Sequence, residues 1–230
     1  MIKRLKSGIP GFDEISGGGI PKGQIILLSG APGTGKTTMC TQYVYEGLKS
    51  HNENGIFLSF EETSESIRKT SAEFGWNFEE FERMNKFSFV KYDPYHVEEI
   101  FDLLESKIRD TGAHRVVIDS ISALGLYVRD KAELRRMIFN LSTILRNLDC
   151  TTLMVSEIVP GTKGISRHGV EEFVADGVVV LYYERNNLAF NRAVQVWKMK
   201  SSNHSNKLHP YKITENGVKI NPAEEAYFKE

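Results

Sequence analysis

The sequence predicts an α/β domain: a mostly parallel central sheet flanked by helices, with a C-terminal antiparallel extension. Three observations carry that expectation. Short apolar runs alternate with amphipathic stretches along most of the chain, the pattern of strands buried between crossover helices. Residues Gly30-Ala31-Pro32-Gly33-Thr34-Gly35-Lys36-Thr37 fit G-x-x-x-x-G-K-[ST] with nothing missing, and that loop joins a strand to a helix. Near the end, Asn216-Gly217 lies between two apolar runs, a strong hairpin signal.

Taken in order, residues 25–29, 55–60, 87–91, 116–119, 152–156 and 177–182 read as the sheet strands. The first of these is the apolar run Ile25-Ile26-Leu27-Leu28, and residues 38–48 suit the helix that the loop opens. Val97, Phe101, Leu104 and Ile108 line one face of a second helix. Leu134, Ile138, Leu141, Leu145 and Leu148 do the same for a third, and plain core packing accounts for both faces. Residues 193–200 alternate like an antiparallel strand, and 211–213 and 218–220 flank the hairpin turn. No low-complexity linker or repeat divides the 230 residues, so 1–230 is expected to be one domain.

Bulk properties narrow the function classes. A formal net charge of −1 gives no long-range attraction to nucleic acid or acidic membrane. Cys40 and Cys150 lack C-x-x-C spacing and the histidines lack H-x-x-x-H spacing, which argues against a disulfide scaffold or a zinc site. Cys40 is expected to pack inside. The basic first residues precede no apolar secretory core, and no run approaches a membrane span, so a cytoplasmic location is expected.

The chemistry concentrates in a few places. Glycines 30, 33 and 35 let successive N–H groups turn toward phosphate oxygens, and the helix that follows adds its positive end. Lys36 supplies a point charge for the β- and γ-phosphates, and Thr37 a hydroxyl for Mg²⁺, with Thr38 following in the helix. Arg115-Val116-Val117-Ile118-Asp119 is an apolar strand ending in a carboxylate; Asp119 suits Mg²⁺, or caps the next turn. Phe60-Glu61-Glu62-Thr63 ends another strand, where ligands of open parallel sheets sit. Glu61 is the favoured water-positioning base and Glu62 its support; the alternative is one catalytic glutamate and one solvated. The two cannot share a role unless the strand has already ended.

Lys198 and Lys200, two apart on the alternating strand at 193–200, share one face with Val194 and Val196. They read either as an anion site, with Ser201 to His204 as donors, or as lysines guarding a sheet edge. Ser156 and Glu157 end the strand at 152–156 and could pass a γ-phosphate signal into the loop at 160–169. Lys163, Arg167 and His168 in that loop could equally be surface groups.

With these residues in view, the chain resembles the RecA/KaiC superfamily of P-loop ATPases, and within it single-domain KaiC-like proteins similar to the N-terminal ATPase half of KaiC. The likeness rests on Ser7-Gly8-Ile9-Pro10-Gly11-Phe12-Asp13-Glu14, Gly17-Gly18-Gly19-Ile20-Pro21-Lys22-Gly23, Phe60-Glu61-Glu62-Thr63 and Phe74-Gly75-Trp76. Gly169-Val170-Glu171-Glu172-Phe173-Val174-Ala175-Asp176 and Lys198-Met199-Lys200-Ser201-Ser202-Asn203-His204 complete it. The family's second basic position is usually Arg; Lys200 stands there, so an arginine's bidentate contact is not carried over.

The resemblance implies a homo-oligomeric ring, typically a hexamer, with ATP or ADP and Mg²⁺ between subunits. Lys198, Met199, Lys200 and His204 would then meet the neighbour's nucleotide, in the manner of a charge-stabilising finger. Glu172-Phe173 stands where the phosphorylating half of KaiC carries Ser and Thr acceptors, so no autophosphorylation is expected. The expected reaction is slow ATP hydrolysis in a regulatory or signalling role, with a further protein partner left open. The alternatives are a DNA-handling recombinase relative, disfavoured by the charge, and a nucleotide-gated scaffold without turnover.

Overall fold

The computed structural model describes residues 2–93, 99–128, 130–162, 164–186 and 189–227. Of the residues named above, Val97 and Lys163 lie outside these. The strands are β1 (Arg4–Leu5), β2 (Ile20–Pro21), β3 (Ile25–Gly30), β4 (Gly55–Ser59), β5 (Phe87–Lys91), β6 (Arg115–Asp119) and β7 (Thr151–Glu157). β8 (Gly177–Asn186), β9 (Ala189–Met199), β10 (Leu208–Thr214) and β11 (Gly217–Ile220) follow. The helices are α1 (Phe12–Ile15), α2 (Lys36–His51), α3 (Ser64–Ala72), α4 (Glu79–Arg83), α5 (Glu99–Thr111), α6 (Lys131–Asn147) and α7 (Glu171–Val174), with a 3₁₀ turn at Ile121–Leu126.

The main sheet runs β11-β10-β9-β8-β3-β7-β6-β4-β5. β5 through β8 pair parallel, and β9, β10 and β11 add on antiparallel. The six parallel strands all fall where the apolar runs put them, and the extension is present as expected. β3 is buried along its whole length, as a central strand covered on both faces must be. α2 packs on one face with the N-terminal segment and the hairpin, and α5 and α6 cover the other. Arg115, fully buried, ties these parts together through Glu53 at 2.6 Å and the carbonyls of Lys6, Ser7 and Tyr43.

Four details differ from the sequence pattern. The buried face of α5 is centred on Ile100, Leu104 and Ile108, with Phe101 at its margin. Leu148 caps α6 and is only partly buried. The hairpin pairs Thr214 with Gly217, so Glu215 and Asn216 form the turn and Gly217, at φ 103°, opens the returning strand. In β9 the register steps from Val179↔Val196 to Val178↔Lys198, making Trp197 the extra residue of a β-bulge. That bulge breaks the alternation: Val194, Val196 and Met199 share one core, while the Lys198 ammonium turns to α7, 2.7 Å from the Glu172 carbonyl.

Candidate functional site

The phosphate loop leaves the end of β3 and closes on α2. Gly33 (φ 82°) and Gly35 (φ 86°) both take the left-handed conformation, which a side chain disfavours and which aims the intervening N–H groups into a common hollow. Gly35 is the N-cap of the 16-residue α2 and offers no side-chain cap, so the first amides of the helix are left for a ligand. Lys36 folds over the loop, its Nζ 2.9 Å from Gly30 O and 3.1 Å from Ala31 O. Burial pushes this ammonium below its ordinary value, against the pull of Asp119 and Glu157; a bound anion would reverse that cost. Thr34 is turned inward, its hydroxyl on Ala31 O at 2.9 Å and its carbonyl accepting from Tyr211.

Asp119 ends β6 two strands away, and its Oδ2 accepts from Thr37 Oγ1 at 2.7 Å. A hydroxyl and a carboxylate side by side are hard oxygen donors of the kind Mg²⁺ takes, so the residues present fit that ion. Burial raises the Asp119 carboxyl to about 6, partly offset by the Thr37 hydrogen bond and Lys36. The peptide from Asp119 to Ser120 is cis.

β4 ends at Ser59, so the condition for Glu61 and Glu62 to lie on one side is met. Ser59 Oγ accepts from the N–H groups of Glu61 at 3.3 Å and Glu62 at 3.0 Å, and Lys91 Nζ donates to Phe60 O. Thr63 caps α3 by accepting from Ser66 N at 3.2 Å. Glu62 accepts from Ser66 Oγ at 3.0 Å, while burial and then the Glu157 charge push the Glu61 carboxyl up. Glu157 faces the loop because Gly30 and Glu157 are register partners.

The loop, Lys36, Thr37, Thr38, Asp119, Glu61 and Glu62 therefore meet at the carboxyl edge of the parallel strands. Lys198, Met199, Lys200 and His204 do not join them. Met199 pairs with Gly177, which pairs with Ile26 near the start of β3. That start is about 13 Å along the strand from Gly30, at about 3.3 Å per residue. The Met199 side chain is buried in the core, and the His204 Nδ1 sits 2.9 Å from Ser205 O. Lys200 pairs with Asp176 at 3.0 Å, as does Arg146. Burial alone would raise Asp176, but hydrogen bonds from Lys200, the Ile25 N–H and Arg146 hold it below its ordinary value. Burial and the Lys200 charge lower Lys198.

Several residues at the site were not singled out from the sequence. Arg192 reaches Gly33 O at 3.0 Å while stacked 4.3 Å from the Tyr183 ring centre. Glu171 is fully buried and accepts from Ser156 Oγ at 3.1 Å, Ser166 Oγ at 2.9 Å and the His168 and Val170 N–H groups. Ser156 also accepts from Arg167 N at 3.0 Å, so the strand end is physically tied to the loop that follows. Arg192 has no motif signal; Glu171 was visible only as part of a family pattern.

A phosphate loop at the carboxyl edge of a parallel sheet, with a carboxylate closing on its threonine, defines a P-loop nucleotide-binding protein. The chain belongs to the KaiC family of ATPases, the model described as "ATPase: KaiC" matching residues 5–225. It is 41% identical to a UPF0273 protein of Thermotoga maritima over 97% of this chain and 98% of that one. It is 37% identical to the UPF0273 protein MJ1359 of Methanocaldococcus jannaschii, covering 96% and 97% of the two chains. The solved KaiC-like protein PH0186 of Pyrococcus horikoshii superposes with a TM-score of 0.89 at 38% identity, over 96% of this chain and 100% of that one. Among the described residues, no helix is long and apolar enough to cross a membrane.

The Asp119 carboxyl gives a prediction that needs no assay of turnover. Its raised value means the folded state holds the proton more tightly than the unfolded chain. Its contribution to stability is complete below about 3.8 and lost as pH rises through about 6. Asp119→Asn should therefore stabilise the metal-free protein at pH 7–8, by at most about 3 kcal/mol at about 1.4 kcal/mol per unit. Thermal melts from pH 4 to 8 check this; parallel pH dependence in parent and variant contradicts it.

Proposed function

We propose that residues 1–230 form one ATPase domain that binds ATP with Mg²⁺, hydrolyses it slowly, and works in a homo-oligomeric ring, hexameric by family resemblance. The phosphates would lie in the nest of N–H groups from Gly33 to Lys36. Mg²⁺ would be held by Thr37 and Asp119, where it supplies charge neutralisation for the β- and γ-phosphates. Glu61 orients the attacking water and accepts its proton, with Glu62 in support. The family membership supports nucleotide binding; cytoplasmic residence, a regulatory role and the lack of autophosphorylation are part of the same proposal.

One observation carries the subunit sharing. Lys198, Lys200 and His204 lie at the sheet edge away from their own phosphate loop, so they can complete a nucleotide site only on another copy of the chain. Lys198→Ala keeps an intact loop and Lys36→Ala an intact segment. An equal mixture of the two inactive variants should recover hydrolysis at about a quarter of interfaces in a randomly mixed ring. No recovery in any mixture contradicts the sharing. Mass measurement with and without ATP checks the ring itself.

A further inference from the structure

The segment that carries Lys200 and His204 rests on the N-terminal part of the chain. Arg4 spans the two: Nη1 donates to Gly19 O at 2.9 Å and Nη2 to Ser201 O at 2.7 Å. Ser202 Oγ donates to Ser16 O, the Ser205 N–H to Ile15 O at 2.8 Å, and Gln24 Nε2 to Lys200 O at 3.1 Å. Ser201 takes a left-handed φ of 60°, a conformation a non-glycine residue keeps when its surroundings fix it. Gly17 (φ 76°) lies against this segment so closely that a Cβ would stand 2.8 Å from Ser202 Oγ and 2.9 Å from Asn203 O.

These contacts divide the control of Lys200. Asp176 holds its ammonium, and the Arg4 fork holds the main chain one residue further on. A lysine side chain has four rotatable bonds and adapts easily; the position of its Cα is what the fold must supply. A planar guanidinium with two diverging donors fixes both carbonyls at once, which an ammonium at the same place does not.

We propose that Arg4, with the turn at residues 16–19, is a positioning residue for the segment that acts on a neighbouring subunit's nucleotide. The inference rests on the subunit sharing proposed above. Arg4 acts through the main chain it holds: it sets where Lys200 and His204 arrive. A misplacement of about 1 Å in a group of this kind costs about a hundredfold in rate.

The test uses the full chain with Arg4→Ala. ATP affinity should stay within about twofold while kcat falls about tenfold to a hundredfold. Mixing with Lys36→Ala should restore hydrolysis, because Arg4→Ala brings an intact phosphate loop and its partner an intact segment. Arg4→Lys should regain only part of the loss. Hydrolysis at the parent rate, or joint loss of ATP binding and hydrolysis with no recovery on mixing, overturns the proposal; the second outcome is what a merely structural role gives. A control mixture of Lys198→Ala with Lys36→Ala separates the failures. If the control does not recover, the sharing itself falls; if it recovers and Arg4→Ala does not, only the role of Arg4 falls. Should Arg4→Ala not fold, Arg4→Lys and Ser202→Ala carry the same test, with a smaller loss expected and the same results contradicting it.

Discussion

Lys36→Ala should abolish measurable ATP binding while leaving the fold intact. The Lys36 ammonium is desolvated, and its hydrogen-bond partners among the described residues are two carbonyls of its own loop, Gly30 and Ala31. Replacing those carbonyls with phosphate oxygens exchanges a neutral acceptor for an anionic one in the same low-dielectric hollow. A charge-assisted contact contributes about 1.5–3 kcal/mol. Two such contacts to a triphosphate amount to a loss of about two orders of magnitude or more in affinity. Calorimetric titration with Mg²⁺ and ATP measures it, and a melt without nucleotide shows whether the fold survives. Unchanged affinity in a folded variant would mean that the nest of amides binds without its cation.

The second large effect belongs to the carboxylates. Glu61→Gln with Glu62→Gln should bind ATP as the parent does and hydrolyse it about 10²–10⁴-fold more slowly, the usual contribution of a positioned general base. Hydrolysis at the parent rate would remove Glu61 from the role of base. The pH profile adds a sign. Burial and the Glu157 charge raise Glu61, and a base works only when ionised, so the acid limb of the rate should lie above the ordinary glutamate range. Glu157→Gln removes the larger of the neighbouring charges that raise it and should move that limb to lower pH.

Much of this site was legible in the chain because its parts are local. The loop from Gly30 to Thr37 is contiguous, and its glycines fall where positive φ is needed. Asp119 and the Glu61–Glu62 pair follow apolar strands, and in a parallel sheet the ends of such strands converge whatever the helices between them do. The face of Lys198 and Lys200 was not legible. Strict alternation put them with Val194 and Val196, and one extra residue at Trp197 reversed it. A bulge leaves no sequence mark here, since Trp197 suits a strand as well as its neighbours do. Lys200 meets an anion within its own subunit, Asp176, a partner supplied from 24 residues away, while Lys198 turns to the Glu172 carbonyl. Arg192 and Arg4 reach carbonyls of segments distant in sequence, contacts that only the assembled fold brings together. The hairpin was found but placed one residue late, because Gly217 is used after the turn rather than within it.

The most direct measurement is calorimetric titration of the purified full chain with ATP and with ADP in the presence of Mg²⁺, followed by phosphate release from the same sample. Saturable binding of both nucleotides and slow, Mg²⁺-dependent release of phosphate from ATP are the predicted results. A folded protein that takes up neither nucleotide would contradict the assignment of residues 30–37 as a triphosphate cradle, and with it the roles given to the carboxylates around it.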